Sequence, residues 1–324
     1  MSNTKKSFSI GIDLGGTKLA AGLVNADGEI IEYVKIPTDM NQDKSPKSSQ
    51  KRLISLMTDI TVDIKRRFPK ECNGRHFKGV GLASAGPLNV DSGSLINPVN
   101  FKGWKTVPIR NLFLDSLVKA DFKTPIIFQN DAIASAYAEG WTGHAKTKKS
   151  YAVITVGTGI GTGVIFNNGP CQTNGMGSEF GHMLVDINRL RGTKEHYASM
   201  TVEGIASGVG LMRRSTAQGF NYNSVEELVL AHKQDGNKHE DLFSDMSTAL
   251  AMLCFNLSIG FNLEGIYISG GLIKIKDLFL KNMKSDYNRL IKEFNPAYKS
   301  TIDIAKTKNF AGVIGAAYLP YTKK

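Results

Sequence analysis

One pattern occurs twice in this chain and limits its fold more than any other feature. Residues 8–14 alternate apolar with small or polar side chains. They run into the glycine turn Asp13-Leu14-Gly15-Gly16-Thr17, return over residues 19–24 and end at Asp27-Gly28. At mid-chain, residues 151–156 run into Gly157-Thr158-Gly159-Ile160-Gly161, return over residues 163–166 and end at Asn168-Gly169. Runs of this length bounded by glycine and Asn/Asp turns read as strands joined in hairpins. Two copies of one strand–glycine turn–strand unit imply an internal duplication with two related lobes.

Other segments supply the layers such hairpins need. Residues 29–36 read as a third strand, and residues 38–51, polar and containing Pro46, as a loop. Leu53, Leu56, Met57, Ile60 and Ile64 recur at helical spacing, which predicts a helix over 53–68. Residues 80–84 read as a strand that stops at Ala85-Gly86-Pro87. Residues 126–128 form another strand, followed by Asn130-Asp131 and a helix over 132–141. Leu242, Met246, Leu250, Leu253 and Leu257 mark a long buried helix over 241–261. A strand at 266–269 closes on Gly270-Gly271, and helices follow at 278–291 and 310–319. Strands alternating with helices place the chain in the α/β class.

Composition removes several function classes. Hydrophobic residues are 41% and charged residues 21%, which argues against a disordered or fibrous chain. The net charge of +11 draws anions of any kind, but the basic stretches at Lys65-Arg66-Arg67 and Lys148-Lys149 are short. They lack the interleaved aromatics of a single-strand binder, so no nucleic-acid partner is expected. No uninterrupted apolar run approaches the roughly 20 residues of a membrane helix, and the polar start has no signal-peptide core, so no membrane partner is expected. Cys72, Cys171 and Cys254 are too scattered for a disulfide framework and suit a cytoplasmic location.

The chemistry is carried by short motifs. Glycines in the first turn let backbone N–H groups approach an anion, while Thr17 adds a hydroxyl and Lys18 a cation. Asp13, at a strand end, is placed to hold a hydrated Mg²⁺. The second turn, around Thr158-Gly159, has neither dinucleotide spacing nor a following helix, which argues against NAD. Two such turns facing one another are suited to clamp a triphosphate, and Gly270-Gly271 offers a third close backbone approach. Asp131, between a strand and a helix, can accept a hydroxyl proton; capping of that helix is the plainer reading of Asn130-Asp131. Glu179 and His182, beside glycines, with Glu195 further on, provide donors and acceptors suited to a polyol.

Taken in order, these motifs resemble the ROK family (repressors, open reading frames and sugar kinases), in particular its bacterial glucokinase-like members, over residues 10–317. The segments around Gly86 and Asn100 are similar to the family's sugar-domain segment. The resemblance implies a two-lobed, actin-like (ribonuclease H-like, hexokinase-type) ATPase fold. A small domain of residues 1–128, completed by a C-terminal helix at 306–324, would accompany a large domain of residues 129–305. It further implies a homodimeric ATP-dependent hexose kinase using Mg²⁺, with glucose the first choice of sugar. Asp131 would be the base for the 6-hydroxyl, and Asn130, Glu179, His182, Glu195, Asn100 and Gly86 would contact the sugar. Asp13, Gly15, Gly16, Thr17, Lys18, Thr158, Gly159, Gly270 and Gly271 would serve the nucleotide.

Fructose, mannose, allose and N-acetylhexosamines remain open as substrates, as does polyphosphate as donor. A regulator is disfavoured because the 12 residues ahead of Asp13 leave no room for a helix-turn-helix module. A silent sugar sensor is disfavoured by the intact Asp131. Many family members bind zinc through cysteines that follow the Gly-His pair. Here residues 183–194 hold none, so no zinc is expected.

Overall fold

The computed structural model describes residues 7–186, 197–236 and 238–322. The chain forms two compact units, one of residues 1–147, 170–177 and 306–324, the other of residues 148–169 and 178–305.

The first unit contains strands β1 (Phe8–Leu14), β2 (Lys18–Asn25), β3 (Ile30–Pro37) and β4 (Phe77–Ser84). The short strands β5 (Leu88–Asn89), β6 (Ser94–Ile96) and β7 (Thr106–Val107) follow, then β8 (Ile126–Asn130). Five of them form a sheet of order β3-β2-β1-β4-β8, and β5-β6-β7 form a small second sheet. β1 and β3 run antiparallel to β2, while β1, β4 and β8 are mutually parallel. The alternation along β1 assigns its two faces. Ile10, Ile12 and Leu14 are fully buried in a core shared with Leu53, Met57 and Ile64 of α1 (Pro46–Arg67) and Phe113 and Leu117 of α2 (Ile109–Lys119). Ser9, Gly11 and Asp13 face the C-terminal helix Ala311–Thr322 instead. There the Ser9 hydroxyl donates to the Ala317 carbonyl at 2.6 Å, and Gly11 lies against Val313 and Ala317. The same register therefore aims Asp13 at that helix.

The second unit repeats the arrangement. Strands β9 (Tyr151–Val156), β10 (Ile160–Phe166), β11 (Gly169–Pro170), β12 (Gly265–Ser269) and β13 (Thr301–Ile304) form a sheet of order β11-β10-β9-β12-β13. β9 and β10 are antiparallel, and β9, β12 and β13 are parallel. Each sheet thus has a hairpin on one side of its central strand and two parallel strands on the other, as expected of a duplicated ribonuclease H-like, actin-type fold. Helices α3 (Asp131–Thr142) of the first unit and α4 (Val202–Ala206), α5 (Gly208–Ala217), α6 (Val225–Gln234), α7 (Glu240–Phe261) and α8 (Leu280–Phe294) of the second complete the described helical layers. The five apolar residues that marked α7 are all buried. By length and composition α7 is apolar enough to cross a membrane, but 61% of its most apolar stretch is buried inside the fold.

Several expectations need correction. The loop expected over residues 38–51 ends early, because Pro46 opens α1. Proline suits the first helical position, and Ser45 caps it: the Ser48 N–H donates to the Ser45 hydroxyl at 3.2 Å, and the Ser48 hydroxyl accepts from the Ser45 N–H at 3.1 Å. The second return strand begins at Ile160, opposite Val156, rather than at Gly163, so the turn itself is only residues 157–159. The domain break expected at 128/129 falls inside β8. It lies instead at 147/148, because β8 pairs with β4 and α3 packs through Ala134 and Ala138 on Ala316, Ala311 and Ile314 of the C-terminal helix.

Candidate active site

In open α/β sheets ligands gather at the carboxyl ends of the parallel strands. In the first unit, Leu14 of β1 lies level with Ser84 of β4, which lies level with Asn130 of β8. Asp13 precedes the first of these positions and Asp131 follows the last, so topology alone brings the two carboxylates to one end of one sheet. Asn130 caps α3: its Oδ1 accepts from the N–H groups of Ala132 at 2.9 Å and Ile133 at 3.2 Å. The Asp131 carboxylate also accepts from the Ala132 N–H, at 2.8 Å. Capping and a chemical role coexist here, because Asn130 does most of the capping and leaves Asp131 in the first turn.

Both acids are raised, Asp13 in part by Asp131. Burial, then the Asp131 charge, push Asp13 up to about 7, and nearby Lys18 only partly offsets them. Burial also raises Asp131, against the lowering effect of the Ala132 N–H and its own N–H. Gly312, in the first turn of the C-terminal helix, sits directly behind the Asp13 carboxylate, and a Cβ at that position would overlap Oδ2. Two half-buried carboxylates with one nearby cation are a donor set that would suit a hydrated Mg²⁺.

Gly15 closes the β1–β2 turn, its N–H donating to the Lys18 carbonyl at 2.9 Å. Thr17 and Lys18 are exposed. The turn is steadied by Thr38, whose hydroxyl donates to the Gly16 carbonyl at 2.6 Å and whose N–H donates to the Thr17 carbonyl at 3.0 Å. Gly16 packs on Asn100, where an added Cβ would lie 2.8 Å from the Asn100 Cβ. The two segments expected to serve nucleotide and sugar therefore meet. Gly86 follows β4 and joins Pro87 through a cis peptide.

In the second unit the equivalent end is built from main chain. The Gly157 N–H donates to the Gly159 carbonyl at 2.9 Å, while the Gly157 and Thr158 carbonyls accept from Gly208 and Val209 at 2.8 and 3.2 Å. Gly270, at φ 99°, lets β12 turn against Val156 of β9, and Gly271 lies beside Gly157. The turn 157–159, the start of α5 and Gly270-Gly271 thus converge. Glu179 and His182 flank Phe180-Gly181 in a 3₁₀ turn held to β10: the Phe180 N–H donates to the Thr162 hydroxyl at 3.0 Å, and Gly181 packs on the Ile160 carbonyl. Both side chains are exposed. Glu195 lies outside the described residues, as does most of the span expected to be free of zinc. Among the described residues no group of three or more His, Cys, Asp or Glu side chains is placed to hold a metal ion.

Three supporting groups escaped the sequence reading. Glu203 accepts from the Ile160 N–H at 2.7 Å and braces the second turn from 43 residues away. Ser207 caps α5 by accepting from Gly210 at 3.0 Å; the cluster Ser207-Gly208-Val209-Gly210 was visible as a possible signal. Gln129 accepts from the Asn130 N–H at 2.7 Å and from the Gln172 amide at 2.8 Å.

Known proteins share this arrangement over nearly the whole chain. The ROK family model matches residues 9–323. A glucokinase of Halalkalibacterium halodurans is 30% identical, covering 96% of this chain and 94% of the relative. An N-acetylmannosamine kinase of Haemophilus influenzae is 29% identical, covering 95% and 94%. The ROK hexokinase of Thermus thermophilus superimposes with a TM-score of 0.79 at 25% identity, covering 98% of each chain. With its duplicated sheets, paired aspartates and glycine turns, this chain belongs to the ROK family, among its sugar kinases.

Proposed function

We propose that the protein transfers the γ-phosphoryl group of ATP to the 6-hydroxyl of a hexose, with glucose as the preferred acceptor. The observation that carries this reading is Asp131: a half-buried carboxylate on the first residue of a helix, raised by burial and set beside a second carboxylate. A raised pKa makes Asp131 a stronger proton acceptor than a free carboxylate. In this reading it takes the proton of the sugar hydroxyl as that oxygen attacks phosphorus. Asn130, Asn100 and Gly86 border the sugar, and Glu179, His182 and Glu195 contact its ring hydroxyls. Backbone N–H groups at Gly15 and Gly16, with Thr17 and Lys18, and at Thr158 and Gly159 hold phosphate oxygens, and Gly270-Gly271 border the adenosine. Asp13 would hold a hydrated Mg²⁺, which supplies positive charge to the phosphates when bound. The three free cysteines suit a cytoplasmic enzyme.

The relative that acts on N-acetylmannosamine favours one second reading, an N-acetylhexosamine as acceptor. A coupled assay of purified protein against glucose, fructose, mannose, allose and N-acetylmannosamine, with ATP and polyphosphate each as donor, separates these readings. Highest kcat/KM with glucose and ATP supports the proposal. Highest kcat/KM with N-acetylmannosamine replaces its substrate, and no transfer to any sugar removes it.

A further inference from the structure

Glu139 is fully buried in α3, and the proposed reaction makes no direct use of it. Its Oε1 accepts from the N–H groups of His144 at 2.7 Å and Lys306 at 3.0 Å. Its Oε2 accepts from the Thr307 N–H at 3.2 Å and the Thr307 hydroxyl at 3.0 Å. Four donors occupy the acceptor sites that an ionised carboxylate offers. A glutamine there would keep one acceptor oxygen and turn its NH₂ toward N–H groups. Gly143 leaves the room the carboxylate fills, since a Cβ at 143 would overlap it.

The partners of Glu139 lie where the chain leaves and rejoins the first unit. His144 is three residues before its boundary at Thr147, and Lys306 and Thr307 open its C-terminal segment. Thr307 leads through the 3₁₀ turn Lys308–Phe310 into Ala311 and Gly312, and Gly312 backs Asp13. The same α3 that bears Glu139 carries Asp131 at its first residue. Between these points Ala138 packs with Ala311 and Ile314, and Gly315 meets the Ala134 backbone. One carboxylate therefore fixes the start of the helix behind Asp13 to the helix that presents Asp131.

We infer that Glu139 is a positioning residue that sets the spacing of Asp13 and Asp131 by tying the C-terminal helix to α3. The inference rests on the proposed roles of those two aspartates. A misplacement near 1 Å at reacting groups costs up to about 100-fold in rate. Glu139→Gln is therefore expected to lower kcat by about 10–100-fold while KM for hexose and ATP stays within about twofold. Amide hydrogen exchange at Lys306 and Thr307 should rise by at least about tenfold, a readout independent of turnover. Thr307→Val, which removes one donor of four, should give a smaller fall in kcat. Thr307→Ser, which keeps the hydroxyl, should restore it and keeps the test open if Glu139→Gln fails to fold.

Wild-type kcat in a folded Glu139→Gln protein would overturn the inference. So would a loss that follows only the folded fraction, or equal kcat in the two Thr307 variants. A wild-type protein without kinase activity would instead defeat the underlying reading, and the exchange measurement would still report whether Glu139 ties the two segments.

Discussion

At the carboxyl ends of its parallel strands the first sheet presents two carboxylates, Asp13 and Asp131. The equivalent end of the second sheet presents main chain from residues 157–159 and Gly270-Gly271. Strand order is the same in both. What differs is how charge is treated. In the first sheet burial, and then the charge of the second acid, pushes one of two acids up to about 7. In the second, the Glu203 carboxylate is engaged by the Ile160 N–H and serves as a brace. One topology thus presents a pair of carboxylates in one copy and main chain in the other; in the proposed reading the carboxylates take a proton and attract a cation, and the main chain meets anions. A duplicated scaffold fixes where a ligand-facing end lies, and the residues at the strand tips decide what that end can do.

The sharpest way to break this contrast is to remove charge from the first sheet. Asp131→Asn keeps the shape of the helix start, and its kcat should fall by about 10²–10⁴ in the coupled assay. The raised pKa of Asp13, set first by burial and then by the Asp131 charge, has its own signature in stability. The folded chain retains the Asp13 proton between pH 3.8 and about 7, where the unfolded chain has released it, so folding stability falls as pH rises through that window. In chelator, chemical unfolding at pH 5 and pH 8 should show wild type losing on the order of 2–3 kcal/mol that Asp13→Asn does not lose. Equal pH dependence in the two proteins would mean that Asp13 is not perturbed.

Gly312→Ala tests the close approach behind Asp13. The added methyl must displace the carboxylate, and kcat should fall by about tenfold with the fold intact by circular dichroism. On the second sheet, Glu203→Gln should loosen the turn and raise KM for ATP by roughly fivefold, with kcat within about twofold. The smallest expected effect is at the start of α1, where Ser45 serves only as a helix cap. Ser45→Ala should cost about 1 kcal/mol in urea unfolding and leave both kinetic constants unchanged.

The parts of this contrast that were legible in the sequence are those written in local pattern. The glycine turns at residues 15–16 and 157–159, the alternation of β1 and the buried side of α7 each follow from spacing within one segment. Asp131 was legible because a strand end and a helix start adjoin it. Three features were not legible. β5, β6 and β7 are two or three residues long, too short to show a period. Residues 170–177 join the first unit through non-local pairing, with the Val90 N–H donating to the Asn174 carbonyl at 2.8 Å. Glu203 braces a turn 43 residues earlier in the chain, a distance at which no spacing rule operates. Pro46 misled because proline marks a helix start as readily as a loop.

The division of labour between the two sheets is tested most directly by calorimetric titration of Asp131→Asn and Glu203→Gln with one non-hydrolysable ATP analogue in the presence of Mg²⁺. Glu203→Gln should bind the analogue roughly fivefold more weakly than wild type, whereas Asp131→Asn should bind it within about twofold of wild type despite its lost turnover. Weakened binding in Asp131→Asn together with wild-type binding in Glu203→Gln would contradict the proposed assignment of proton transfer to Asp131 and of phosphate holding to the turn that Glu203 braces.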